Sequence, residues 1–351
     1  CSGSHAFEPM SFSSVVIEGM AYSLPPEIYK SSDIEKKLSP LYESLKLPTG
    51  RLELMTGISE RRLWPSNFKP SQASAEAGLK LLQSGINGSE VDLLIHCSVC
   101  RDRLEPATAS YVHRLMGLGG GTQILDISNA CLGFLNALVL AGSMIETGQI
   151  RRAILVAGEN GAPLVDKTIQ LLNEGDHTRK SIKPFFANLT IGASAVAWSI
   201  AHRDLVDKDC PSMGSWATET DTSYNELCQG DTSGDDLVMQ TDSEELLHAG
   251  ISVAQRAWAK FLKIQDWEPR DPELLITHQV GKAHSQAVLE ALSIDPSINF
   301  SSFENLGNCG SASLPITYTL ACEKDPQNLL RKTALLGIGS GLSSLMLSIN
   351  P

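Results

Sequence analysis

The segment Ile124-Leu125-Asp126-Ile127-Ser128-Asn129-Ala130-Cys131-Leu132-Gly133-Phe134 joins two hydrophobic patterns. Before it, residues 123–127 have the length of a buried strand; after it, 132–147 are apolar on nearly every side, as a buried helix is. The most apolar part, 132–145, is interrupted by Asn136 and falls short of the about 20 residues that span a bilayer. A strand that feeds straight into a buried helix is the unit of an α/β fold. The pattern repeats outward. Residues 91–99, 153–157, 192–200, 274–280 and 334–338 read as strands, and 71–83, 243–261, 285–292 and 311–322 read as helices.

An internal echo accompanies the alternation. The strand 92–99 resembles 273–280, and each leads to a small-residue turn opening a helix, at Cys131 in the first case and Asn308 in the second. Two related halves explain this, and chance recurrence of apolar strands is the alternative. The organisation expected is residues 1–9 as a cloning remnant, 10–202 as the half carrying Cys131, 203–245 as an acidic connection, and 246–351 as the half carrying His278 and Asn308. The acidic stretch reads as a lid or a surface loop. A second irregular stretch, 173–184, reads as a possible cap on a substrate channel.

Composition narrows the function. The 351 residues are 42% hydrophobic and 19% charged, which suits a large packed core. Lys+Arg 28 against Asp+Glu 40 gives −12, and with no long basic run this argues against nucleic acid as partner. Eight cysteines without an export signal suggest reduced thiols and a cytoplasmic protein. No metal or cofactor site is expected. Cys97-x-x-Cys100 lacks a second ligand pair, so it reads as two ordinary thiols rather than half a zinc site.

Three residues form a chemically coherent set. Cys131 stands at a helix start, where free N–H groups and the helix dipole favour a thiolate and a developing oxyanion. His278 ends an apolar strand, where open α/β sheets place their sites. Asn308 sits in Gly307-Asn308-Cys309-Gly310. Each has a plainer reading, as core cysteine, structural histidine and turn asparagine. Together they offer a nucleophile and two neutral donors. The Gly337-Ile338-Gly339-Ser340-Gly341 turn has no following lysine, so it suits a backbone donor better than a phosphate loop.

In this order the motifs resemble the thiolase superfamily, in its ketoacyl synthase III branch. The segments at 126–134, 277–280, 305–313 and 337–341 carry the resemblance over nearly the whole chain from about residue 12. Residues 57–64 and 101–110 are similar to the OleA-type head-to-head condensing thiolases of long-chain olefin synthesis. The resemblance implies a homodimer of duplicated, five-layered αβαβα subunits, with Cys131, His278 and Asn308 catalytic and the N–H groups of Cys131 and Ser340 as oxyanion hole. It also implies that Glu105 reaches into the partner subunit's site as a base. Met55, and Val280-Gly281 after His278-Gln279, depart from the fatty-acid-initiating synthases.

The implied reaction is a non-decarboxylative Claisen condensation of two acyl-CoA molecules through acyl-Cys131, with acyl-CoA as substrate, no cofactor, and downstream pathway enzymes as further partners. The alternatives are a decarboxylative synthase using a malonyl thioester, an acyltransferase that stops after acylation, and, from another class, a Cys-His-Asn hydrolase.

Overall fold

Residues 10–233 and 236–351 are described by the computed structural model. The expected remnant, 1–9, lies outside them. The described residues form strands β1 (Val15–Ser23), β2 (Ile28–Lys30), β3 (Glu60–Arg62), β4 (Leu93–Cys97), β5 (Gln123–Ile127), β6 (Arg152–Asn160), β7 (Ala193–His202), β8 (Ser212–Thr220), β9 (Cys228–Ser233), β10 (Asp236–Thr241), β11 (Leu274–Thr277), β12 (Thr333–Gly339) and β13 (Ser343–Asn350).

Nine of these run side by side in the order β11-β12-β13-β8-β1-β7-β6-β4-β5. The series divides where β1 meets β8, which pair only at Val16 and Ser212. On one side β5, β4 and β6 are parallel, followed by antiparallel β7 and β1. On the other, β11 and β12 are parallel, followed by antiparallel β13 and β8, and Asn299 adds a parallel bridge outside β11. Numbered within its own half, and with the Asn299 bridge counted as the third position of the second half, each side has the spatial order 3-2-4-5-1. The fold is duplicated.

The layers follow from which faces are apolar. The helices Gly133–Glu146 and Ser313–Lys324 each follow the third position of their half, and both bury most of their residues. They share one core with inward residues of both sheets, among them Leu93, Leu155, Leu335 and Leu347. Trp198 links the pair. Its ring packs against Phe134 at 5.3 Å and Tyr318 at 5.5 Å, and its Nε1 donates to Thr319 Oγ1 at 3.0 Å. A second core lies on the outer face of the first sheet, under the helices Pro70–Gln83 and Ala162–Glu174. A third lies under Ser243–Gln265 and Lys282–Ala291. Helix, sheet, helix, sheet and helix make the five-layered thiolase fold.

Among the described residues of 203–245, where the sequence suggested a connection, there are three strands. They are β8, at the seam between the sheets, and the β9–β10 hairpin. Its serines, glycine and threonines hid the strand, because burial there is of Met213, Gly214, Ser215 and Ala217 rather than an apolar run. The irregular stretch at 173–184 is tied to the N-terminal helices, with Asn173 donating to the Lys37 carbonyl at 2.8 Å and Arg179 to the Leu45 carbonyl at 3.0 Å.

Candidate active site

Cys131 is placed by a tight, strained turn. Ala130 has φ +46°, a conformation an L-residue with a side chain rarely holds. The Leu132 N–H closes the turn onto the Asn129 carbonyl at 2.9 Å, and the helix begins at Gly133. The glycine turn after β12 lies directly on this one. A Cβ on Gly337 would stand 2.6 Å from Leu132 Cδ2, and one on Gly339 would stand 3.0 Å from Leu132 Cγ and 3.5 Å from the Asn129 carbonyl oxygen. Only glycine allows this approach. Ser340 is thereby carried to the turn that holds Cys131.

His278 follows the end of β11, and its N–H donates to the Leu336 carbonyl of β12 at 3.1 Å. Burial, and then the neighbouring His284, pushes its imidazole down to about 3, so it is neutral at physiological pH. Gln279 fixes the next segment. Its Oε1 accepts from the N–H groups of Ser302 and Phe303 at 2.8 and 3.1 Å, and its Nε2 donates to the Thr277 carbonyl at 2.7 Å.

That segment leads to Asn308. Its backbone is clamped between Thr190, whose carbonyl accepts the Asn308 N–H at 2.9 Å, and Gly192, whose N–H donates to the Asn308 carbonyl at 2.9 Å. A Cβ on Gly192 would fall 2.0 Å from the Leu306 carbonyl oxygen, so the clamp requires glycine. The Asn308 Oδ1 accepts from the Gly310 N–H at 3.0 Å and from Ser313 Oγ at 3.4 Å. With its oxygen so engaged, the amide offers its N–H donors to the site.

The ionisation expected of Cys131 differs from what the structure gives. Burial, and then the charge of Glu159, pushes the thiol up to about 12. A helix start offers an anion ~0.3–1 kcal/mol, whereas moving a thiol from 9.0 to about 12 corresponds to about 4 kcal/mol. Burial wins. At rest, the Cys131 thiol and the His278 imidazole are both neutral.

Sequence reasoning passed over Glu159, His284 and Cys228. Glu159 is buried at the end of β6 and touches both Ser311 and the segment after β4. Cys228, on β9, also raises the Cys131 thiol. A charged residue ending an otherwise apolar strand is a signal that could have found Glu159. Cys97 and Cys309 are fully buried thiols. Cys100 is partly exposed and its Sγ lies 3.6 Å from the Asn160 carbonyl oxygen.

Glu105 is not brought to this site within the chain. It is exposed, in the 98–107 loop, beside a cis peptide to Pro106 and next to Leu104, which is 91% exposed. Among the described residues no group of three or more His, Cys, Asp or Glu is arranged to hold a metal ion, and no helix is long and apolar enough to cross a membrane.

A thiol at a strand-to-helix turn, histidine and asparagine turns in the second half, and the glycines at the end of β12 against the thiol's turn are the parts of the thiolase-fold condensing enzymes. Family comparison agrees. The 3-oxoacyl-[acyl-carrier-protein (ACP)] synthase III family matches residues 125–197, and its C-terminal part matches 262–349. The chain is 36% identical to an acyl-CoA:acyl-CoA alkyltransferase of Shewanella oneidensis, covering 97% of this chain and 99% of the relative. It is 34% identical to the Xanthomonas campestris protein of the same name, with the same coverage. A β-ketoacyl-[acyl-carrier-protein] synthase III of Natranaerobius thermophilus is 26% identical over 92% of this chain and 94% of its own length. The crystal structure of a histidine variant of Xanthomonas campestris OleA superposes with a TM-score of 0.92 at 34% identity, covering 97% of this chain and 100% of that one. The chain belongs to the OleA-type acyl-CoA:acyl-CoA alkyltransferases of the thiolase superfamily.

Proposed function

We propose that the protein joins two acyl-CoA molecules head to head by a non-decarboxylative Claisen condensation. The observation that carries this is end-to-end identity of 34–36% with two acyl-CoA:acyl-CoA alkyltransferases, in a chain that holds Cys131 at a strained strand-to-helix turn. Cys131 Sγ attacks the thioester carbonyl carbon as the thiolate, its proton released to solvent. The oxyanion is held by the N–H groups of Cys131 and Ser340. Collapse expels CoA, which takes up a proton, and leaves acyl-Cys131.

A second acyl-CoA then loses an α-proton to Glu105 of the partner subunit. His278 and the Asn308 amide donate to the enolate oxygen, and the carbanion attacks the acyl-Cys131 carbonyl. The Cys131 sulfur leaves and is reprotonated. The product is a 2-alkyl-3-oxoacyl-CoA, which yields a 3-oxo acid on hydrolysis. The proposed enzyme needs no cofactor besides its acyl-CoA substrates, works in the cytoplasm, and passes its product to other enzymes of lipid or olefin synthesis.

One long-chain acyl-CoA supplied alone tests this. Condensed product and free CoA are expected without any malonyl thioester, and product forming only when a malonyl thioester is added would replace the reading with the decarboxylative one.

The homodimer is part of the same proposal. β5 is the last strand of its sheet and leaves Gln123 and Ile124 exposed, and Val99, Leu104, Leu115 and Leu140 add apolar surface. Light scattering at assay concentration should give twice 37.8 kDa. An active monomer would remove the partner's Glu105 from the mechanism.

A further inference from the structure

Glu159 is a buried acid that the reaction as drawn does not use. It is 3% exposed, and among the described residues no cation pairs with it. Its Oε1 accepts from the Val99 N–H at 2.7 Å, the Ser311 N–H at 3.2 Å and Ser311 Oγ at 2.8 Å, and its Oε2 accepts from the Cys100 N–H at 3.0 Å. Ser311 Oγ also lies 2.9 Å from the Cys97 carbonyl oxygen, which binds the same two segments again. Gly310 is pressed against the carboxylate at φ +56°, where a Cβ would be 2.8 Å from Oε1.

A carboxylate without a counter-charge is an expensive fastener, since burying it costs far more than burying a neutral amide. Its contacts show what it fastens. Val99 and Cys100 open the loop that carries Glu105, while Gly310 and Ser311 close the turn that aims the Asn308 amide. We infer that Glu159 is a positioning residue for the carbanion step, holding the Glu105 loop and the Asn308 turn of one subunit in a single register. Because that loop serves the partner, the carboxylate sets the amide of its own site and the base of the neighbouring one. This inference rests on the roles proposed above for Glu105 and Asn308.

The variants Glu159→Gln and Glu159→Asp separate charge from reach. Glutamine keeps the length and turns an N–H group toward donors; aspartate keeps the charge and falls short. With long-chain acyl-CoA both should still acylate Cys131 to one acyl group per chain, while kcat for condensation falls about ten- to a hundred-fold with KM little changed. Glu159→Gln should also move the pH dependence of Cys131 alkylation by iodoacetamide to lower pH, because a negative charge near the thiol is gone, whereas Glu159→Asp should leave it near the parent. A merely structural role would slow acylation and condensation together, whereas the inference requires condensation to fall with acylation intact. Condensation by Glu159→Gln at the parental rate with an unmoved alkylation profile overturns the inference. If both variants fail to fold, Ser311→Ala decides, since it removes the hydroxyl's contacts with Glu159 and the Cys97 carbonyl and leaves the carboxylate: slowed condensation with intact acylation supports the inference, and parental condensation overturns it. Glu105→Gln run alongside keeps the two readings apart, for parental condensation there overturns the base assignment, while the alkylation profile reports on Glu159 independently.

Discussion

Cys131→Ala should abolish covalent acyl transfer. Offered a long-chain acyl-CoA, the parent gains one acyl mass on Cys131, and the variant gains none by intact-protein and peptide mass spectrometry. The reason is local, since the φ +46° turn at Ala130 and the glycine turn above it present this thiol and no other. Labelling that persists in the variant, or that maps to buried Cys97 or Cys309, would reject the assignment. The same thiol has a pH signature. Because burial and the charge of Glu159 hold it at about 12, the thiolate fraction and the rate of alkylation should keep climbing past pH 9. A plateau near pH 7 would show an activated resting thiolate instead. His278 is neutral over the same range, because burial and His284 hold its titration at about 3, so it serves as a donor and not as the base that takes the thiol proton.

Glu105→Gln should separate the two halves of the reaction. Acylation of Cys131 needs no base at that position and should be intact, whereas condensation of two acyl-CoA molecules should fall about a hundred- to ten-thousand-fold, the usual range for a lost general base. That corresponds to about 3–5 kcal/mol in the barrier. A malonyl thioester in place of the second acyl-CoA is the control, since loss of carbon dioxide makes the carbanion directly. Condensation by the variant at a parental rate would reduce Glu105 to an exposed surface acid, which is how it stands within a single chain.

Much of the fold was legible because its signals are local. The strand at 333–339 is buried along its whole length and the helix at 133–146 over most of its residues, and burial of that kind demands an apolar run; the strand at 123–127 is present too, but as an edge strand with Gln123 and Ile124 exposed rather than the buried one its length suggested. β8 was not legible, because a strand at the seam between two sheets can be filled by Ser212, Gly214, Ser215 and Thr218 when its neighbours supply the apolar surface. The duplication showed only as a faint echo in sequence, while the shared 3-2-4-5-1 order makes it plain.

The candidate site divides the same way. The sequence by itself determined which residues stand at turns, namely Cys131, His278, Asn308 and Ser340, since turn chemistry is written in adjacent glycines and small residues. It also determined the apolar helix that follows the thiol. Only the tertiary structure decided how those groups ionise, because desolvation and Glu159, brought in on β6, outweigh the helix start that the sequence advertises. Only it decided which way the Asn308 amide points, through a Gly310 N–H on its oxygen. The physical reason is that a residue's identity and backbone conformation are set by its neighbours in the chain, whereas its electrostatic environment is set by whatever folding packs around it.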